Sequence, residues 1–188
     1  MDILRHRLAI ALLIAVAQIA FLGSMIVGRA SILRDGTDIR LTVEPVDPRD
    51  LLRGDYVVLA YPISRIDRSL LAAPVEGEFK DRWIYVRLAQ AADGTFAPIA
   101  ASLDDPVSTD RAESEIDLRG TVQRENGNEF SVTYGIERYY VPEGQGRAIE
   151  EAMRQDRFEI IAVVDEDGSA QIKALLHDGE PIYSEPLY

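Results

Sequence analysis

The sequence predicts a mainly β fold of the α+β kind: one N-terminal transmembrane helix followed by a β-rich exported domain. Three observations predict it. Leu8 to Val27 is a run of 20 residues with no charge, in which only Gln18, Gly23 and Ser24 are not apolar. Most of the remaining chain alternates apolar and polar residues, as half-buried strands do. Five dipeptides of the hairpin type, Asp35-Gly36, Asp93-Gly94, Asn126-Gly127, Asp167-Gly168 and Asp178-Gly179, punctuate that alternation.

At about 1.5 Å rise per residue, 20 helical residues span roughly 30 Å, the hydrocarbon thickness of a bilayer. A core helix of a soluble protein shows a polar face within that length, and this run has none. The expected layout is a cytoplasmic end at 1–7, a transmembrane helix at 8–28, a neck at 29–38 and a β domain at 39–188. Arg5 and Arg7 precede the run, while Arg29 and Arg34 after it are diluted by Asp35 and Asp38. That asymmetry keeps the leading end inside and places the C-terminal domain outside the cytoplasm. A cleaved signal peptide is the alternative, with Gly28-Arg29-Ala30 as its small-residue site, but the run exceeds the usual signal core of roughly 7–15 residues.

Composition narrows the chemistry. The chain has 20 Lys+Arg against 32 Asp+Glu, a formal charge of −12, and no cysteine. Acidity excludes the basic face that nucleic acid requires. Absence of cysteine excludes disulfides, thiolate metal sites and a cysteine nucleophile. With 18 Arg but only Lys80, Lys173, His6 and His177 besides, the chain is poor in acid–base groups, and no cofactor or metal is expected.

Strands are expected at Ile39–Val43, Trp83–Leu88 and Phe130–Tyr134, a helix at 145–157 from Ile149 and Met153 four apart, and a short helix near 69–73. An offset of 73 relates Tyr61-Pro62-Ile63-Ser64-Arg65 to Tyr134-Gly135-Ile136-Glu137-Arg138. Arg82-Trp83 is matched to Arg157-Phe158, and the offset of 73 returns at Ile99/Ile172, Leu103/Leu176 and Asp105/Asp178. Two similar β lobes, 39–108 and 116–183, joined by a polar link at 104–115, account for this spacing. Chance recurrence of strands and turns is the competing account.

The most distinctive stretch runs from Val46 to Tyr61 (VDPRDLLRGDYVVLAY). Gly54 permits a tight entry into a strand, and Asp55 at its mouth is suited to accept turn amides. Along the strand, Tyr56, Val58 and Ala60 share one face, and Val57, Leu59 and Tyr61 the other. GDYVVLAY carries Gly54, Asp55, Tyr56, Leu59 and Tyr61 in the pattern that names the GDYXXLXY family of bacterial membrane-anchored proteins, which the chain resembles. The lone N-terminal span, DPRDLLRGDY, YGIERYYVPEG at 134–144 and IKALLHDGEPIY resemble the same family. The resemblance implies an extracytoplasmic domain anchored in the bacterial inner membrane, often encoded beside multi-spanning membrane proteins, and brings no catalytic activity with it.

RGDYVVLAYP also resembles the strand of type I signal peptidases that follows their serine nucleophile. Ser24-Met25 and Lys80 stand in the matching order, but Ser24 lies inside the apolar run and Lys80 sits between Glu78 and Asp81, which favour its charged form. Asp165-Glu166-Asp167-Gly168 lacks the further ligands of a calcium loop and reads as a hairpin turn. Arg65, Glu137, Arg138, Tyr139 and Glu143, with Tyr56 and Tyr61, are read either as an ion pair with core aromatics or as a groove that grips a partner by strand addition. The expected function is a non-enzymatic binding or assembly module that contacts lipid through 8–28 and works with a multi-spanning membrane protein. A signal-peptidase-like hydrolase and a small-ligand sensor between the lobes are the alternatives.

Overall fold

The computed structural model describes residues 2–45, 56–71, 77–108, 110–142 and 144–184. Helix α1, Asp2–Asp35, contains the apolar run, and from Ile10 onward it is long and apolar enough to cross a membrane. Among the described side chains of the apolar run, the large apolar ones are exposed, Leu13 at 73% and Phe21 at 65%. No protein core claims them, as expected of a segment whose solvent is lipid.

The predicted neck is the first correction. The helix continues through Ser31 to Asp35, and β1, Thr37–Thr42, starts after a single residue, Gly36. Asp35-Gly36 therefore ends a helix and makes no hairpin. Leu33 on the last turn is buried, and the Gly36 amide donates to the Ile32 carbonyl at 3.0 Å. A Cβ on Gly36 would meet Val163 Cγ1 at 2.6 Å and the Val164 carbonyl at 2.7 Å, so only glycine lets the helix end seat directly on the β body.

The remaining elements are β2 (Tyr56–Val58), β3 (Arg65–Asp67), β4 (Trp83–Gln90), β5 (Phe96–Leu103), β6 (Glu115–Asn126), β7 (Glu129–Thr133), β8 (Arg138–Tyr140), α2 (Gly146–Ala152), β9 (Phe158–Val164), β10 (Ala170–His177) and β11 (Glu180–Ser184). Short 3-10 turns at Pro62–Ser64 and Arg68–Leu70 flank β3, the second where a short helix was expected. One sheet has the order β1-β9-β10-β11, another β3-β7-β6-β4-β5, and β2 pairs with β8 in a two-stranded ribbon, all antiparallel. In the middle of the first sheet, β9 (FEIIAVV) is apolar almost throughout because both its faces are covered.

Several strand pairings correspond, each at a constant offset along the chain. The β2–β8 pairs Tyr56↔Tyr140, Val57↔Tyr139 and Val58↔Arg138 become, on adding 73 to one strand and subtracting it from the other, the β3–β7 pairs Glu129↔Asp67, Phe130↔Ile66 and Ser131↔Arg65. The β4–β5 and β9–β10 hairpins correspond at an offset of 74. Ala91 and Asp165 donate to the carbonyls of Thr95 and Ser169, and Gly94 and Gly168 to those of Ala91 and Asp165. Asp104 and Asp178, both at positive φ, donate to the carbonyls of Trp83 and Arg157. At an offset of 77, β1 against β9 repeats the register of β6 against β4, with Leu41↔Ile160 answering Leu118↔Val86.

Two expectations change. The matches at Arg82-Trp83, Ile99, Leu103 and Asp105 each slip by one residue, because the ladder pairs Trp83 with the role of Arg157 and Asp104 with that of Asp178. A one-residue slip would turn every side chain to the opposite face, so register is the stricter guide. The lobes also do not coincide with the segments 39–108 and 116–183. Strand β1 joins the sheet of β9 and β10, β6 joins that of β4 and β5, and each half thus completes the other's sheet.

A single core runs through both sheets, with Ile39, Leu41, Val57, Leu59, Tyr61, Ile66, Leu88, Leu118, Phe130, Ile160 and Leu175 among its buried members. Each such aliphatic side chain contributes about 1.5–3 kcal/mol through burial.

Candidate functional site

Gly54 and Asp55 lie outside the described residues, as does Glu143. From Tyr56 the motif runs as expected: Val57, Leu59 and Tyr61 are buried at 0–1%, while Val58 is 37% exposed. The Leu59 amide donates to the Glu137 carbonyl at 2.9 Å and continues the ribbon. Tyr61 donates its hydroxyl to the Ile136 carbonyl, and burial followed by the Glu137 charge pushes its pKa well above the ordinary value.

Of the two readings of these residues, two of the aromatics follow the core one. Tyr61 and Tyr139 are core residues, each 1% exposed or less. Arg65 sits on β3 and Arg138 on β8, strands of different sheets. The Glu137 carboxylate accepts from the amides of Tyr134 and Gly135 and braces that turn, and among the described residues no Glu137–Arg138 ion pair forms. Alternation along β8 is what decides this: Tyr139 faces the core, so Arg138 and Tyr140 face outward.

The outward face of the β2–β8 ribbon instead gathers Tyr56, Val58, Arg138 and Tyr140. The rings of Tyr56 and Tyr140 meet edge-on at 6.0 Å, and the Arg138 guanidinium lies 5.7 Å from the Tyr56 ring centre. Tyr140 is 61% exposed. The candidate residues read from the sequence include Tyr139 and not Tyr140, although strand alternation sets Tyr140 on the same face as Arg138.

Other candidates take structural places. The Ser24 hydroxyl donates to the Phe21 carbonyl within the apolar helix at 2.7 Å, and Lys80 lies on an exposed turn of the body. Asp165 closes its hairpin by accepting from the Ser169 amide at 2.8 Å. His177 stacks on Phe158 with centroids 4.6 Å apart and its Nε2 lies 3.0 Å from Asp156.

Two clefts occupy corresponding places between the sheets. One, of about 350 Å³, is lined by Trp83, Arg119, Thr133, Gly135 and Ala170; the other, of about 140 Å³, by Thr42, Tyr61, Pro62 and Phe96. In the larger, Arg119 donates to the Ser169 hydroxyl and its guanidinium covers Trp83 at 5.1 Å, so its polar groups already serve each other.

The sequence profile described as GDYXXLXY protein matches residues 18–175. The chain belongs to the GDYXXLXY family. The match covers the second half of α1 and runs into β10, so the motif strand, the ribbon and all strands of both sheets except the end of β10 and β11 fall within it. No curated protein and no solved structure matches the chain.

Proposed function

We propose that this GDYXXLXY protein is a single-pass, non-enzymatic binding or assembly module, held at the outer face of a bacterial inner membrane and acting with an integral membrane partner. The observation that supports it best is the one-residue junction. With α1 in lipid, Gly36 against Val163 and Val164 holds the β body directly over the bilayer in one orientation, the placement that recognition of a membrane neighbour requires. Arg5 and Arg7 ahead of the apolar run support an inward N-terminus. A larger cleft in which Arg119 already engages Ser169 and Trp83, beside an exposed aromatic face, favours partner binding over a small-ligand sensor. A Ser24 hydroxyl inside the apolar helix disfavours a peptidase. The matching ladders support descent of the two halves from one duplicated unit.

A chain without cysteine suits single-cysteine mapping. Ser108→Cys should react with an impermeant maleimide added outside the inner membrane, and Arg7→Cys only after lysis. A benzophenone side chain in place of Phe21 should crosslink the full chain to another membrane protein. Reversed labelling, or peptide hydrolysis abolished by Lys80→Ala, would overturn this reading.

A further inference from the structure

The β3–β7 ribbon is an internal control for the β2–β8 ribbon. Both share backbone pairing and inward apolar residues, so the fold asks the same of their outward positions. The β3–β7 ribbon meets that demand with Glu129, Ser131, Arg65 and Asp67; at the corresponding places the motif ribbon carries Tyr56, Val58, Arg138 and Tyr140. Three polar side chains in one are two tyrosines and a valine in the other, an apolar surface that the fold does not need.

The corresponding arginines differ in the same direction. Arg65 is neutralised by Glu44 at 2.8 Å, and that pairing holds its pKa above the ordinary value. Arg138 occupies the same place, but the position corresponding to Glu44 at the offset of 77 is Thr121. Among the described residues, Arg138 has no carboxylate within ion-pair distance, and its guanidinium rests on Tyr56. The ribbon thus holds two tyrosines and an arginine that has no carboxylate partner among the described residues, residue types that dominate binding energy at protein interfaces, with Val58 as an apolar neighbour.

We propose that the outward face of the β2–β8 ribbon docks a protein segment that presents a large apolar side chain beside a carboxylate. This deepens the partner-binding reading and rests on it. The carboxylate takes the place that Glu44 takes beside Arg65. A second copy is the poorer occupant, since two such faces meeting symmetrically bring Arg138 against Arg138. An anionic lipid surface is poorer too, because residues 31–188 hold 17 bases against 31 acids.

The test places a benzophenone amino acid at position 140 of the full chain in native membranes, with position 67 as the matched control. Both sites are exposed, and unchanged melting verifies that the variants fold. The expected result is one discrete protein adduct from position 140 and not from 67. Its crosslinked peptide should contain an Asp or Glu beside a large apolar residue, and Arg138→Glu should lower its yield about tenfold or more. The proposal is overturned by no adduct, an adduct to lipid or to a second copy, the same adduct from position 67, or a yield indifferent to Arg138→Glu. A membrane-protein adduct from position 21 without one from 140 sinks this face and leaves the membrane-partner reading standing. An adduct from 140 to a soluble protein, sensitive to Arg138→Glu, supports the face and sinks that reading.

Discussion

Tyr61 and Tyr134 are tied reciprocally: the hydroxyl of Tyr61 donates to the carbonyl of Ile136, and the hydroxyl of Tyr134 donates to the carbonyl of Ile63. Each tyrosine therefore anchors the turn that follows the other. Tyr61→Phe or Tyr134→Phe leaves one buried carbonyl without its donor and should cost about 1–3 kcal/mol. The two losses should be similar, as the places correspond. Urea unfolding with an unchanged m-value checks this.

The same pair sets an alkaline limit. Burial first, and the Glu137 charge second, raise both phenols well above the ordinary value. A phenol titrates near 10 in the unfolded chain. Their contribution is therefore complete below about pH 10 and is lost as pH rises from there through the folded-state values. Tyrosinate absorbance from two residues should appear together with loss of the β circular dichroism signal.

Arg87 is the main buried cation. Its Nε and Nη2 donate to the Asp117 carboxylate at 2.7 and 2.9 Å, and its Nη atoms reach the Val107 and Asp110 carbonyls of the link between the halves. The Asp117 pairing keeps the guanidinium more firmly protonated than usual. Arg87→Ala should cost about 3–5 kcal/mol by leaving Asp117 uncompensated and releasing the link. Faster proteolysis near residue 110, with a lower melting temperature, is the expected readout.

Gly94 and Gly168 hold the same turn position at φ +83° and +80°. Alanine carries a left-handed penalty of about 1–2 kcal/mol at either. At Gly168 it also meets the Asp117 carbonyl at 2.9 Å and the Arg119 amide at 3.0 Å, whereas at Gly94 its nearest neighbour is the Gln90 side chain at 3.9 Å. Gly168→Ala should lower the melting temperature clearly more than Gly94→Ala. Equal losses would mean that the turn at 168 does not seat on β6.

Separate polypeptides 37–108 and 110–184 should each lack stable sheets, because β1 needs β9 and β4 needs β6. Mixing them should restore the β spectrum and amide protection. A half that folds alone would contradict the exchanged pairing.

What could be read in the chain beforehand was local. Leu8–Val27 announced a lipid-compatible helix because no charge interrupts it and its few polar residues make no face, and Asp93-Gly94, Asn126-Gly127, Asp167-Gly168 and Asp178-Gly179 announced hairpins because they accept left-handed backbone. The correspondence of Tyr61 with Tyr134 was visible as a spacing. Exchange of β1 and β6 was not, since alternation tells which face of Leu41 or Leu118 is buried and says nothing of which strand lies beside it. Asp35-Gly36 misled for a related reason: the dipeptide suits a hairpin, but Gly36 is small so that a helix end can press on Val163. Of the two readings of the ribbon residues, the pleat favours the core one for Tyr61 and Tyr139, which it sets on the buried face with Val57 and Leu59.

If α1 lies in lipid as proposed, Gly36 leaves no slack between the helix end and the sheet, and the body moves with the helix as one lever. In a thinner bilayer the long apolar segment leans further to keep its side chains in hydrocarbon, and a lean of that kind swings Tyr140 and Arg138 through an arc. On that proposed anchoring, membrane thickness would become a quantity that the fold converts into a direction.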